Sequence, residues 1–208
     1  MPALAYIAFV PGHGARPSGY DPGAVSGQVR EAVVVRDLAA RAMMALGRYP
    51  LLTGGIHDAH PQYRDRVGQG VAAAKAMGLA KVVVCHLHCN ASGTGKGTYT
   101  ATITDARSPS CGALAEHVEE AMQAAAPRVL TLRPRRSTWQ DGFPRAEGLI
   151  ETAWAAGKAL PGGIVHALVV ETAFVDTPSH AALLMDGAAR ARLAVGLVTG
   201  LARGLGVA

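Results

Sequence analysis

KVVVCHLHCNAS, residues 81–92, is an apolar, β-branched run that stops in two histidines set two positions apart. A short run of this composition is a buried strand, and its alternation puts His86 and His88 on one face, with His88 nearer the carboxyl end. Similar short runs lie over 5–10, 49–53, 97–104, 128–132 and 164–171, and longer helical patterns fall over 27–46, 62–77, 111–125, 147–159 and 178–205. That alternation predicts an α/β fold: a single domain with a mostly parallel, twisted sheet of about six strands and helices on both faces. No internal repeat or low-complexity linker interrupts it.

The chain has 208 residues, half of them apolar and 17% charged, with a net charge of +5. These values exclude intrinsic disorder and fit one α/β domain with a sizeable core. The late apolar stretch 193–202 ends at Arg203 and is about half the length a bilayer span needs, so no membrane span is expected. The apolar start runs directly into PGHG, residues 11–14, without a basic leader or an A-x-A cleavage pattern, and no secretion signal is expected. Cys85, Cys89 and Cys111 do not make a disulfide scaffold, which points to synthesis in a reducing cytoplasm. The positive charge suits an anionic partner, but two Trp, five Tyr and three Phe without an aromatic-and-basic repeat give no nucleic-acid signature. Only Arg133, Arg135 and Arg136, just before Trp139, cluster; they open an excursion over 133–163 that holds Pro134, Pro144 and Pro161. Such segments serve either as lids and binding loops or as surface decoration.

Four segments carry residues out of place in a plain core. His13 lies in PGHG beyond the first strand, where ligands gather in open α/β sheets. Glu31 begins a helical stripe continued by Val35, Leu38, Ala42 and Ala45, with Ser26 as the expected N-cap. It is therefore either a carboxylate on a buried face, which needs a proton, a basic partner or a metal, or part of a first turn that reaches water. The His86 and His88 pair offers two metal ligands or one ligand and a neighbour, while Cys85 and Cys89 face the other way as small buried hydrophobes. Glu171 concludes the run Ala167, Leu168, Val169, Val170, where it pairs with an arginine or works at the sheet's carboxyl edge; Thr177 caps the helix that follows. Three strand ends and one helix start thus supply His13, His88, Glu171 and Glu31.

In this order, PGHG with DPGA at 21–24, Glu31, HLHCNAS at 86–92 and ETAFVDTPSHAALL at 171–184 resemble the zinc-dependent N-acetylmuramoyl-L-alanine amidases of amidase family 3. That family is typified by bacterial cell-separation amidases and phage endolysins. The resemblance implies Zn2+ held by His13, Glu31 and His88, Glu171 as the catalytic carboxylate, and cleavage of the amide between N-acetylmuramic acid and L-alanine in peptidoglycan. His86, Asn90, Arg133, Arg135 and Arg136 are placed beside the metal or against substrate. The chain departs from the family pattern at His86, where serine is common, at Thr53 and Gly54, where a Thr-Arg pair is usual, and at Ala173, often glycine. Its 208 residues are expected to form one catalytic domain, with no separate wall-binding domain, acting like an endolysin after release from the cytoplasm. The alternatives are a zinc hydrolase of soluble wall fragments or another small acylated substrate, and a non-catalytic module that binds anionic polymer.

Overall fold

The computed structural model describes residues 3–16, 18–59, 62–104, 109–132 and 164–208. The excursion 133–163, its expected helix over 147–159 and Arg133, Arg135, Arg136 and Trp139 lie outside the described residues. Six strands form the central sheet: β1 (Ala5–Pro11), β6 (Leu52–Ile56), β7 (Lys81–Asn90), β8 (Tyr99–Ile103), β9 (Thr131–Leu132) and β10 (Ile164–Phe174), in the order β6-β1-β7-β10-β8-β9. The four strands β6, β1, β7 and β10 are parallel, and β8 runs antiparallel to β10.

Strand alternation divides the core into two layers. Ile7, Phe9, Val83, Cys85, Leu87, Leu168 and Val170 face one side. There they pack under α1 (Glu31–Leu46), α3 (Pro109–Ala125), α4 (Pro178–Met185) and α5 (Gly187–Gly204). Tyr6, Ala8, Val10, Val82, Val84, Ala167 and Val169 face the other side and meet Val67, Val71 and Ala74 of α2 (Tyr63–Ala76). Both faces are thus apolar, which is why the strands read as continuous hydrophobic runs. The three cysteines are buried free thiols, as expected of small hydrophobes, and burial pushes the Cys85 thiol up to about 12.

Several boundaries differ from expectation for local reasons. Residues 14–30, read partly as helix, instead form two small hairpins, β2 (Gly14–Arg16) with β3 (Gly19–Asp21) and β4 (Val25–Ser26) with β5 (Val29–Arg30). The first helix accordingly starts at Glu31; Ser26 lies in β4 and caps nothing, and Arg30 at the N-cap position gives no side-chain cap. Strand β6 lies three residues later than 49–53, since Tyr49 and Leu52 are tied in the turn that precedes it. The expected helix over 178–205 divides at Asp186, whose extended backbone breaks the first segment and whose carboxylate accepts from Ala188 N to cap the second. Thr177 occupies the N-cap position of α4, but its side chain makes no cap hydrogen bond. Among the described residues no helix is long and apolar enough to cross a membrane.

Candidate metal centre

Parallel strands end together, so β1, β7 and β10 deliver their last residues to one edge of the sheet. Glu171 stands directly opposite His88 in the register, and β1 ends beside Leu87. The chain leaving β1 turns at Gly12 and His13. A Cβ at Gly12 would lie 2.5 Å from His88 Cε1, so only glycine lets this turn close over the imidazole. His13 itself has φ 61, a left-handed conformation uncommon for a side-chain-bearing residue, and it is held by contacts from outside the turn.

One of those contacts comes from Arg66, 1% exposed, which reaches from α2 to three carbonyls of this loop. Its Nη1 donates to Pro11 O at 3.0 Å and His13 O at 3.1 Å, and its Nη2 donates to Ala15 O at 3.1 Å. The planar guanidinium suits this task because its donors form a rigid fork. On the ring itself, His13 Nδ1 lies 2.9 Å from Asp21 Oδ2, and Asp21 is fixed in turn by Arg16 and by Gly23 N. A carboxylate on Nδ1 selects the tautomer that leaves Nε2 as an acceptor, the arrangement that orients metal-binding histidines.

Glu31 is 2% exposed and projects from the first residue of α1 into the same space, which excludes a solvent-facing first turn. Its Oε2 accepts from Ala24 N at 2.8 Å and lies 3.2 Å from His13 Nε2. Its Oε1 accepts from Cys89 N at 2.9 Å and lies 3.1 Å from His88 Nδ1. Burial alone would raise this carboxyl, but hydrogen bonds and charge from His13 and His88 hold it well below the ordinary carboxylate range. For His13, burial works against protonation, yet Glu31 and Asp21 together raise it. The two rings meet edge to face, 5.2 Å apart at 80°.

One ligand atom from each of His13, Glu31 and His88 falls within 4.8 Å of the others. Tetrahedral zinc with bonds of about 2.0–2.1 Å separates its ligands by roughly 3.4 Å. The 3.2 and 3.1 Å edges from Glu31 to the two imidazoles match that spacing closely. Two imidazoles and a carboxylate are a donor set used by catalytic zinc, so these residues fit the ion.

Glu171 is held differently from Glu31. The residue keeps some exposure, yet its Oε2 is sealed from solvent and has no hydrogen-bond partner among the described residues. Burial pushes its carboxyl up to about 7, His88 opposes that rise and Glu31 adds to it.

Of the other expected site residues, His86 is 0% exposed and lies two register positions back from His88, between Val10 and Val169. It is not part of the three-residue group, and the histidine beside Glu31 is His88. Asn90 ends β7, where its Oδ1 accepts from Ala91 N and its carbonyl from Val175 N. Arg66 and Asp21 had no assigned role in the sequence. Arg66 could have been found by stepping back from Ala74 through Gly70 in fours, along the buried stripe of α2.

The same architecture occurs in solved structures. The chain is similar to the catalytic domain of CwlV, an N-acetylmuramoyl-L-alanine amidase from Bacillus (Paenibacillus) polymyxa var. colistinus, with a TM-score of 0.68 and 19% identity over 99% of this chain and 100% of that one. It is similar to an N-acetylmuramoyl-L-alanine amidase from Clostridium difficile 630, with a TM-score of 0.69 and 21% identity over 98% of each chain. AmiC2 of Nostoc punctiforme, also an N-acetylmuramoyl-L-alanine amidase, gives a TM-score of 0.68 and 16% identity over 97% of each chain. No curated protein matches the chain. The family model described as N-acetylmuramoyl-L-alanine amidase matches residues 7–203, nearly the whole sequence. The chain therefore belongs to the N-acetylmuramoyl-L-alanine amidase family, the enzymes that hydrolyse the amide between N-acetylmuramic acid and L-alanine in peptidoglycan.

Proposed function

We propose that the chain is a zinc-dependent, endolysin-like amidase in which His13, Glu31 and His88 hold the ion and Glu171 carries the proton. The observation that carries this reading is the opposite treatment of two buried glutamates. Glu31 is fixed by two backbone amides and two imidazoles, as a ligand must be, while Glu171 Oε2 is sealed and has no hydrogen-bond partner among the described residues, beside the same histidine.

When bound, zinc supplies Lewis acidity, which makes water acidic near neutral pH and polarises an amide carbonyl. The protein residues do the rest. Asp21 and Arg66 keep His13 in one orientation, so the donor set is formed before the ion arrives and little reorganisation is needed. Glu171 takes a proton from attacking water at its carboxylate, as a base whose affinity for protons lies near the working pH. It then returns that proton to the L-alanine nitrogen as the C–N bond breaks, leaving a carboxylate on the muramoyl lactyl group and a free amine on the peptide.

Digestion of purified sacculi tests the reaction. The expected result is new L-alanine amino termini, abolished by chelation and restored by zinc. Failure of the zinc-loaded protein to release them, alongside cleavage of a small soluble acyl-peptide, would overturn the wall-lytic role. Release of amines only from soluble muropeptides would assign the protein to wall-fragment hydrolysis instead.

A further inference from the structure

A second feature lies far from the metal centre. Helix α1 has Glu31 at its first residue, and after its 16 residues, about 24 Å of rise, Arg48 stands just past the other end. There Arg48 borders a groove of about 560 Å³ between α3 and α5. Its floor is small: Ala121, Ala125 and Gly196. A Cβ at Gly196 would lie 2.7 Å from Ala121 O, so the two helices approach more closely there than larger residues allow.

Arg192 and Arg203 mark two ends of the groove on one stripe of α5, with Val195, Gly196 and Thr199 between them. Eleven residues of helix separate them, about 16 Å along the axis. All three arginines are exposed, and none has an ion pair or side-chain hydrogen bond among the described residues. Other arginines on this layer are satisfied, since Arg41 and Arg190 share Asp37, and Arg36 pairs with Asp58. Among the described residues no carboxylate lines the groove.

We propose that this groove binds a linear polyol-phosphate polymer, the phosphodiester-linked chains that accompany peptidoglycan in many walls. Three unpaired guanidiniums suit phosphate, which Arg recognises through paired donors. Their spread along the helix fits an extended polyanion, since one small anion cannot meet Arg192 and Arg203 together. Among the described residues no aromatic side chain lines the groove, so they offer nucleobases no stacking surface there. A second copy of this chain brings the same +5 charge and is a poor complement. Binding at this distance from the metal centre would hold the enzyme on the wall while leaving the reacting edge clear.

The test is fluorescence anisotropy with labelled poly(glycerol phosphate), comparing wild type, R48Q/R192Q/R203Q and a charge-matched control, R64Q/K75Q/K96Q. Loss of three phosphate contacts is expected to weaken binding about ten-fold or more at low salt and to flatten its salt dependence, with the control close to wild type. Equal losses in both variants would overturn the groove in favour of general charge attraction. Tighter binding of single-stranded DNA through the same arginines would make the occupant a nucleic acid. A concentration-dependent dimer abolished by the groove substitutions would make it a second copy; either result overturns the proposal. Hydrolysis of a soluble muropeptide by the groove variant is expected to match wild type. If the wild type binds polymer but hydrolyses nothing, the groove stands and the amidase mechanism falls.

Discussion

Glu31 and Glu171 stand on either side of His88, one at the start of α1 and the other near the end of β10, and the protein treats them in opposite ways. The carboxylate of Glu31 receives two amide hydrogens and faces two imidazoles, so its charge is stabilised and its proton is lost readily. Glu171 meets burial without a hydrogen bond to Oε2 among the described residues, and burial favours its neutral form up to about pH 7. Two identical side chains thus acquire different chemistry from their surroundings: one fixed anion for holding a cation, one group able to exchange a proton.

The largest effect is expected at Glu31. Glu31→Gln removes the anion that both histidines face and should abolish both zinc uptake and turnover, measured by metal analysis after dialysis and by amine release. Glu171→Gln should break the symmetry the other way. Zinc should remain at full stoichiometry while turnover falls by about 10²–10⁴, the usual contribution of a positioned acid–base group. Zinc loss in this variant would place Glu171 among the ligands.

Asp21→Asn sharpens the comparison from the ligand side. Weakening the carboxylate that fixes His13 Nδ1 should cost about 10–100-fold in zinc affinity by competition with a chromophoric chelator, with a folded protein retained. An unchanged affinity would show that the φ 61 turn and Arg66 suffice to aim the ring.

In the metal-free protein the two glutamates should also make stability depend on pH in opposite directions. Glu31 has a folded-state value below its ordinary 4.5, so its contribution to stability is present above pH 4.5 and is lost as pH falls through the lowered value. Glu171 has a raised value, so its contribution is present below pH 4.5 and is lost as pH rises through about 7. Denaturant melts of the metal-free protein should therefore weaken between pH 5 and 8 in wild type and change less in Glu171→Gln. A further pH effect is expected at His180, fully buried, with Nδ1 accepting from Phe174 N and Nε2 facing Val129 O. Burial lowers its proton affinity, so the stability it gives is complete above its ordinary 6.5 and declines as pH falls below it.

The sequence made the strands, the two-layer core and the four chemical residues legible because each is a local signal. His13, His88 and Glu171 interrupt apolar runs at strand ends, and parallel strands bring their ends together whatever the loops do. What was not legible depends on contacts distant in the chain. The hairpins over 14–30 exist to carry Asp21 and Ala24 to His13 and Glu31, and no periodicity announces them. The helical stripe through Gly70 and Ala74 places Arg66 on the buried face, but its partners, loop carbonyls more than 50 residues away, are set only by the fold. The division at Asp186 was hidden because the apolar pattern continues on both sides of it.

The most direct measurement is a crystal structure grown with excess zinc, with the metal located by its anomalous signal. One ion is expected about 2.0–2.2 Å from His13 Nε2, a Glu31 oxygen and His88 Nδ1, with Glu171 close by and not coordinated. An ion ligated by Glu171 or His86, or absent from this edge of the sheet, would contradict this assignment.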